Sequence, residues 1–265
     1  MPYAKVNDLE IYYELHGPEG AEPLVLFNGA FGVIGPDSDW SNQVDRFAQE
    51  YRVLVFEHRG HGRTNNPPGR FEDYAQLAGD AVGLLRALNI AKATLVGFSD
   101  GAITLLELAR RYPEVIMAMV VVGANYYNDE TCLKAMETLT PENIEQNYPD
   151  WAADLEKQHA SQGQGYWKDL ARQLRAMWLQ YPNFSQEDLG QITAPTLVMS
   201  GQHDHFGSIA QTLDIHRSIK GSEICIVPGA SHPVLSQRPE ITGLIILDYL
   251  ARQRKRRQRA KAPVS

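Results

Sequence analysis

Along most of the chain, short apolar runs alternate with stretches whose apolar residues recur at helical spacing. Tyr3 to Val6 and Leu9 to Leu15, joined through Asn7-Asp8, read as a β-hairpin. Leu24-Val25-Leu26-Phe27 is an unbroken apolar run that stops at Asn28-Gly29, the pattern of a buried strand and its turn. Arg52 to Phe56 forms the next strand, followed by the glycine-rich Arg59-Gly60-His61-Gly62-Arg63. Phe71 to Leu88 has helical periodicity, with Leu77, Val82, Leu84, Leu85 and Leu88 on one face. Ala93 to Phe98 is a strand stopping at Ser99, and Ile103 to Arg111 is a helix ended by Tyr112-Pro113. Met117 to Val122, Pro195 to Ser200 and Glu223 to Val227 complete the strands.

Strands alternating with helices predict an α/β protein built on a mostly parallel sheet covered on both faces. Between about Tyr126 and Gly190 the alternation stops. That stretch carries Trp151, Trp167 and Trp178, helical runs such as Tyr166 to Leu179, and no convincing strand. It reads as a helical lid inserted between two strands, some of its aromatic side chains facing a substrate cavity and others packing it onto the body. The expected organisation is a core of residues 1–125 and 191–251, a lid of 126–190 and a basic tail of 252–265.

Composition narrows the class. A chain of 265 residues with 43% hydrophobic and 22% charged positions suits a folded enzyme domain, not a disordered one. Its longest apolar runs, such as Val115 to Val122, fall far short of a membrane span, and Met1 to Lys5 lacks the apolar core of a secretory signal. Cys132 and Cys225 do not make a disulfide framework, so a reduced, cytoplasmic setting is expected. The net charge of −7 hides an asymmetry, because Arg252, Arg254, Lys255, Arg256, Arg257, Arg259 and Lys261 crowd the C-terminus. That tail is expected to be a helix running out into a solvated, frayed end, with no nucleic-acid partner.

The chemistry centres on Gly97-Phe98-Ser99-Asp100-Gly101, which matches the G-x-S-x-G nucleophile elbow between a strand and a helix. Side chains two residues either side of the serine would meet neighbouring backbone, which explains both glycines. A serine hydroxyl needs a base to take its proton, and on such a sheet an acid and then a histidine are expected downstream. Asp204 follows the strand ending near Ser200, and His232 follows the last strand. Both lie at carboxyl ends of strands, where open α/β sheets place their ligands. His203 and His205 flank Asp204, but a third metal ligand at usual spacing is missing, so no metal is expected. Two backbone N–H donors should face the developing oxyanion: that of Asp100, and one from the loop after Phe27, either Ala30 or Phe31. Gly29 and Gly32 let that loop turn its amides inward.

These residues resemble a known family. Arg59-Gly60-His61-Gly62-Arg63-Thr64 is similar to the R-G-H-G-x-S loop of α/β-hydrolases, Gly201 to Asp204 to their G-x-x-D acid motif, and Pro228 to His232 to their P-x-x-x-H motif. The resemblance spans nearly the whole chain. It implies the α/β-hydrolase fold: a mostly parallel eight-stranded sheet flanked by helices, with a helical lid after the sixth strand. The chain looks most like the biphenyl-hydrolase-like or valacyclovir-hydrolase-like branch, sharing the S-D-G elbow and the run Gly123-Ala124-Asn125-Tyr126-Tyr127. That similarity implies cleavage of amino-acid esters, with Asp100 binding the substrate's ammonium group. The residues alone also allow Asp100 to be held by a local hydrogen bond or salt bridge at the helix N-terminus. Two departures stand out. Asn28-Gly29 replaces the usual His-Gly, leaving Asn28 to organise the loop and making it a candidate for substrate contact, and residues 33–39 lengthen the loop beside the pocket.

The expected function is therefore hydrolysis of a small-molecule carboxylic ester or lactone through an acyl-enzyme on Ser99, with His232 as base, Asp204 as its orienting acid, and no cofactor. One alternative keeps the same three residues for a carbon–carbon hydrolase of ring-cleavage products or an enol-lactonase. A third reading is a non-catalytic ligand sensor on the same fold. Oligomeric state is left open by the sequence.

Overall fold

The computed structural model describes residues 3–36 and 38–261. Eight strands make one sheet: β1 (Tyr3–Val6), β2 (Leu9–His16), β3 (Pro23–Phe27), β4 (Arg52–Phe56), β5 (Ala93–Phe98), β6 (Ile116–Val122), β7 (Thr196–Gly201) and β8 (Glu223–Val227). Their order is β1-β2-β4-β3-β5-β6-β7-β8. β1 and β2 pair antiparallel, as do β2 and β4, and every later pairing is parallel.

Eleven helices are defined among the described residues: α1 (Val44–Phe47), α2 (Tyr74–Ala87), α3 (Asp100–Arg111), α4 (Glu130–Glu137), α5 (Pro141–Asn147), α6 (Pro149–Gln158), α7 (Tyr166–Trp178), α8 (Gln186–Gly190), α9 (Ile209–Ser218), α10 (Val234–Gln237) and α11 (Pro239–Lys261). The central strands are apolar at consecutive positions because helices cover both faces. Val25, Phe27, Leu54, Phe56 and Leu95 pack on the side of α2 and α3. Leu24, Leu26, Val53, Val55 and Val96 pack on the other, against Phe47 of α1 and Ile246, Tyr249 and Leu250 of α11.

Local chemistry moves two expected boundaries. Asp73 accepts the N–H of Gln76 at 2.8 Å, so the cap starts α2 at Tyr74 and not at Phe71. α3 begins at Asp100, three residues before its apolar stripe becomes visible in sequence. α11 runs unbroken from Pro239 into the basic tail as far as Lys261. Its arginines find acids on the body, which is strongly negative once the tail is set aside: Arg252 meets Glu223 at 2.7 Å, Arg254 meets Glu50 at 2.8 Å and Arg257 meets Glu22 at 2.6 Å. Residues 262–265 of that tail, residue 37 of the lengthened loop and the first two residues lie outside the described structure. No described helix is long and apolar enough to cross a membrane.

Helices α4 to α8 form the insertion between β6 and β7. It is tied to the glycine-rich turn after β4: Ser161 donates to the carbonyl of Gly62 at 2.8 Å, and Gln162 to that of Thr64 at 2.7 Å. Under this junction lie three buried imidazoles, His58, His61 and His159. The His61 ring centroid is 6.1 Å from that of His58 and 6.2 Å from that of His159. Burial lowers His58 to about 4 and, helped by the two neighbouring rings, His61 to about 3; it lowers His159 as well. An unfolded histidine titrates near pH 6.5, so below that pH the unfolded chain binds protons that the folded one excludes. The stability these rings allow is complete above about pH 6.5 and declines as pH falls toward about 4, approaching about 1.4 kcal/mol per pH unit for each ring. Urea unfolding between about pH 7.5 and about pH 5 should show His61→Leu losing stability less steeply than wild type. Carboxyls titrating in that range are common to both proteins, and equal slopes would remove the histidines as the cause.

Candidate active site

β5 ends at Phe98 and α3 starts at Asp100, so Ser99 alone makes the turn, at φ 52° and ψ −121°. Its N–H donates to the carbonyl of Val122 on the next strand at 2.9 Å, and its own carbonyl accepts from Ala102 at 2.8 Å. A Cβ on Gly97 would sit 2.5 Å from the carbonyl oxygen of Gly101. One on Gly101 would lie 2.5 Å from the carbonyl oxygens of both Phe27 and Asn28. Backbone lies on backbone at both positions, so only glycine fits.

Three residues expected from the sequence come together at the carboxyl ends of β5, β7 and β8. His232 Nε2 is 2.9 Å from Ser99 Oγ, and His232 Nδ1 is 2.9 Å from both carboxylate oxygens of Asp204. An ionised carboxylate only accepts, which assigns the proton to Nδ1 and leaves Nε2 free to receive the serine proton. Asp204 is fixed in turn by the N–H groups of Phe206 and Gly207, which donate to Oδ1 at 2.8 and 2.9 Å. Phe206 and Phe98 flank the imidazole, with centroids 4.7 and 5.1 Å away. Among the described residues no group of three or more His, Cys, Asp or Glu is placed to hold a metal ion, the His203–His205 stretch included.

The loop after β3 folds as a turn, with Gly32 N–H donating to Gly29 O at 3.1 Å and Phe31 at φ 61°. A positive φ at the third position is what a type II turn demands, and here a phenylalanine supplies it. Gly29 packs so closely that an added Cβ would be 3.1 Å from the Ser99 Cβ. Ala30 and Phe31 line the cavity above Ser99, and the Asp100 N–H, first in its helix, has no intrahelical acceptor. Asn28 is not at the cavity. It is fully buried and donates its side-chain amide to the carbonyl of Phe56 at 2.9 Å, pinning β3 to β4. The lengthened loop instead supplies Asp39, whose Oδ2 accepts the Gly29 N–H at 2.7 Å. Burial raises this carboxyl to about 6, against the opposing pulls of that N–H and of His232.

The cavity measures about 160 Å³, room for a benzene-sized group. Its walls are mainly apolar, from Phe31, Ile103, Met136, Leu139, Trp151 and Trp178. Trp167 is buried and is not among the residues that line the cavity. Asp100 puts its carboxylate into the same wall. Tyr74 donates its hydroxyl to Oδ1 at 2.8 Å, and Trp178 donates Nε1–H to Oδ2 at 2.9 Å. Both donors are neutral, and none of the described lining residues is Lys or Arg. Burial raises the Asp100 carboxyl, while Trp178, Tyr74 and His232 oppose the rise. Tyr74, Trp178 and Asp39 have no local motif in the sequence. They act through contacts 26, 78 and 10 positions distant along the chain.

The chain matches the model of the alpha/beta hydrolase family over residues 24–242 and belongs to that family. Among curated proteins it is similar to serine hydrolase BPHL of Homo sapiens, at 29% identity over 86% of this chain and 78% of that protein. Among solved structures it resembles the enol-lactonase of Burkholderia xenovorans, with TM-score 0.76 and 24% identity over 94% of this chain and all of that one. It also resembles a meta-cleavage product hydrolase of Pseudomonas fluorescens, with TM-score 0.77 and 19% identity over 94% of this chain and 97% of that one. The fold and the relatives make the protein a hydrolase.

The elbow packing carries a direct stability prediction. Gly101→Ala forces a methyl into two backbone carbonyls and should cost more than about 2 kcal/mol in urea or thermal unfolding. Gly79→Ala, in the interior of α2 with nothing within 4 Å of the added Cβ, should instead gain about 0.5–1 kcal/mol. Similar effects at the two sites would contradict the steric account.

Proposed function

We propose that the protein is a serine hydrolase that cleaves small carboxylic esters bearing an ammonium group near the scissile carbonyl, amino-acid esters being the simplest. Ser99 Oγ attacks the carbonyl carbon while His232 Nε2 takes its proton, and the carbonyl oxygen becomes an oxyanion facing the N–H groups of Asp100 and of Ala30 or Phe31. The oxyanion collapses to an acyl-enzyme, His232 returns the proton to the departing alcohol, and the same imidazole then activates water to release the acid. Asp204 keeps His232 in the tautomer that can do this. The helical insertion serves as the lid, bringing Trp151 and Trp178 over the cavity.

One observation supports the substrate class: the buried carboxylate of Asp100, a residue of the cavity wall, is held only by neutral hydrogen-bond donors, Tyr74 and Trp178, which line the cavity with it. An ammonium group there would form a charge-assisted hydrogen bond and relieve a buried, uncompensated anion. The same anion, in a cavity without Lys or Arg among its described lining residues, disfavours substrates with a carboxylate beside the reacting carbon. The relative BPHL, named a serine hydrolase, supports the nucleophile assignment.

Two measurements test this. Ser99→Ala should lower ester turnover by at least about 10³-fold and abolish labelling by a fluorophosphonate; activity near wild type in that variant sinks the mechanism, and an unlabelled wild type favours a ligand sensor. Phenylalanine methyl ester should exceed its N-acetyl counterpart in kcat/KM by about 10- to 100-fold, the worth of one charge-assisted hydrogen bond. Asp100→Asn should erase that preference. Equal rates on both esters in wild type would leave a serine hydrolase but discard the ammonium site.

A further inference from the structure

The proposed mechanism needs two N–H groups from the Gly29–Gly32 turn region and the elbow to stay fixed relative to Ser99, and a turn with so few bonds of its own needs an outside hold. We propose that Asp39 is the positioning residue for this turn, its carboxylate clipping Gly29 so that the N–H of Ala30 or Phe31 stays over the proposed nucleophile. This rests on the serine-hydrolase reading above.

Three contacts support it. Asp39 Oδ2 accepts the Gly29 N–H at 2.7 Å, a charge-assisted bond shorter than the turn's own 3.1 Å closure from Gly32 to Gly29. The same oxygen fills the space where a Cβ on Gly32 would lie, 2.8 Å away, so the carboxylate touches both ends of the turn. Gly29 in turn presses on Phe98 and Ser99, where an added Cβ would stand 3.0 and 3.1 Å from side-chain atoms. Displacement of the turn would therefore alter the distance between its amides and the reacting carbonyl. Phe31 adds a reason for the clip, since it holds φ 61°, a conformation a phenylalanine adopts only when the surroundings impose it. Asp39 touches neither substrate nor Ser99 in this account. It acts through the backbone it holds.

An oxygen that accepts from Gly29 is what holds the turn, which separates the variants. Asp39→Asn keeps an oxygen that can accept from Gly29; Asp39→Ala and Asp39→Ser do not reach it. The readouts are the second-order rate of labelling by a fluorophosphonate, whose phosphonyl oxygen takes the oxyanion's place, and kcat and KM on p-nitrophenyl acetate. Asp39→Ala should slow labelling and lower kcat by about 10- to 100-fold, less than the roughly 10²- to 10³-fold of losing a donor outright, with KM changed less than about threefold. Asp39→Asn should stay within about threefold of wild type. If Asp39→Ala unfolds, Asp39→Ser is read in its place. Wild-type rates in a folded Asp39→Ala or Asp39→Ser overturn the proposal, as does an Asp39→Asn as impaired as the alanine variant. Ser99→Ala run alongside separates the two readings: if it labels and turns over like wild type, the mechanism itself has failed, whereas an inert Ser99→Ala beside an unimpaired Asp39→Ala leaves the mechanism standing and removes only the clip.

Discussion

A serine can hold φ 52° and ψ −121° only where the surrounding chain leaves it no alternative, and at Ser99 that compulsion comes from backbone packed directly on backbone. Gly97 lies against Gly101, and Gly101 against the carbonyls that end β3. The strand β5, the helix α3 and the turn after β3 thus meet with no side chain between them. The hydroxyl projects from this junction because every other direction is occupied. His232 and Asp204 come from the loops after β8 and β7, and their hydrogen bonds mean something chemical only because the hydroxyl is held in place first. The same close packing brings the Gly29–Gly32 turn within van der Waals reach of Ser99, so a single steric constraint locates both the proposed nucleophile and the amides proposed to stabilise the oxyanion.

The parts of this arrangement that are legible in the sequence are those that depend on neighbours along the chain. Apolar runs reveal the central strands, since both their faces are covered, and the Asn7-Asp8 turn reveals the opening hairpin. G-x-S-x-G, and the positions of Asp204 and His232 just past strands, are likewise local. Helix starts were less legible: Asp73 caps α2 and polar Asp100 opens α3, and neither belongs to the apolar stripe that reveals a helix. What could not be read are partnerships between distant residues. Asp100 stands out beside the serine, but nothing near it announces Tyr74 or Trp178 as its donors. Asn28 occupies a position that suggests contact with substrate, and only the register of β3 on β4 turns its amide toward Phe56 instead. The C-terminal arginines look like a free basic tail until the acids Glu22, Glu50 and Glu223 are brought beneath them.

The Asp100 carboxylate also links the body to the helical insertion. Tyr74 begins α2 and Trp178 ends α7, so one buried anion gathers the nucleophile's helix, its neighbour and the insertion at a single point. A second junction lies on the far side of the insertion, where Ser161 and Gln162 bond the glycine-rich turn above three neutral imidazoles. The two junctions differ in chemistry. The first contributes an anion to the cavity, while the second keeps its ionisable groups uncharged and away from it. The insertion is thus anchored at one place by the Asp100 carboxylate and at the other by neutral hydrogen bonds and packing.

The electrostatic balance of the cavity gives the substrate argument its force. Asp204 touches His232, and the fields of Asp39 and Asp100 also reach it, each of those carboxyls being held down in part by that imidazole. Three acidic groups around one ring oppose the oxyanion of the proposed attack, because that charge has the same sign as theirs. The N–H groups of the turn and the elbow answer part of this conflict. A positive group on the substrate, seated against Asp100, would answer more of it by cancelling the one carboxylate that faces the cavity while leaving Asp204 to hold the ring. A neutral ester would enter the same cavity but leave that repulsion in place, so under the proposed mechanism a cationic ester would gain in the transition state as well as in binding.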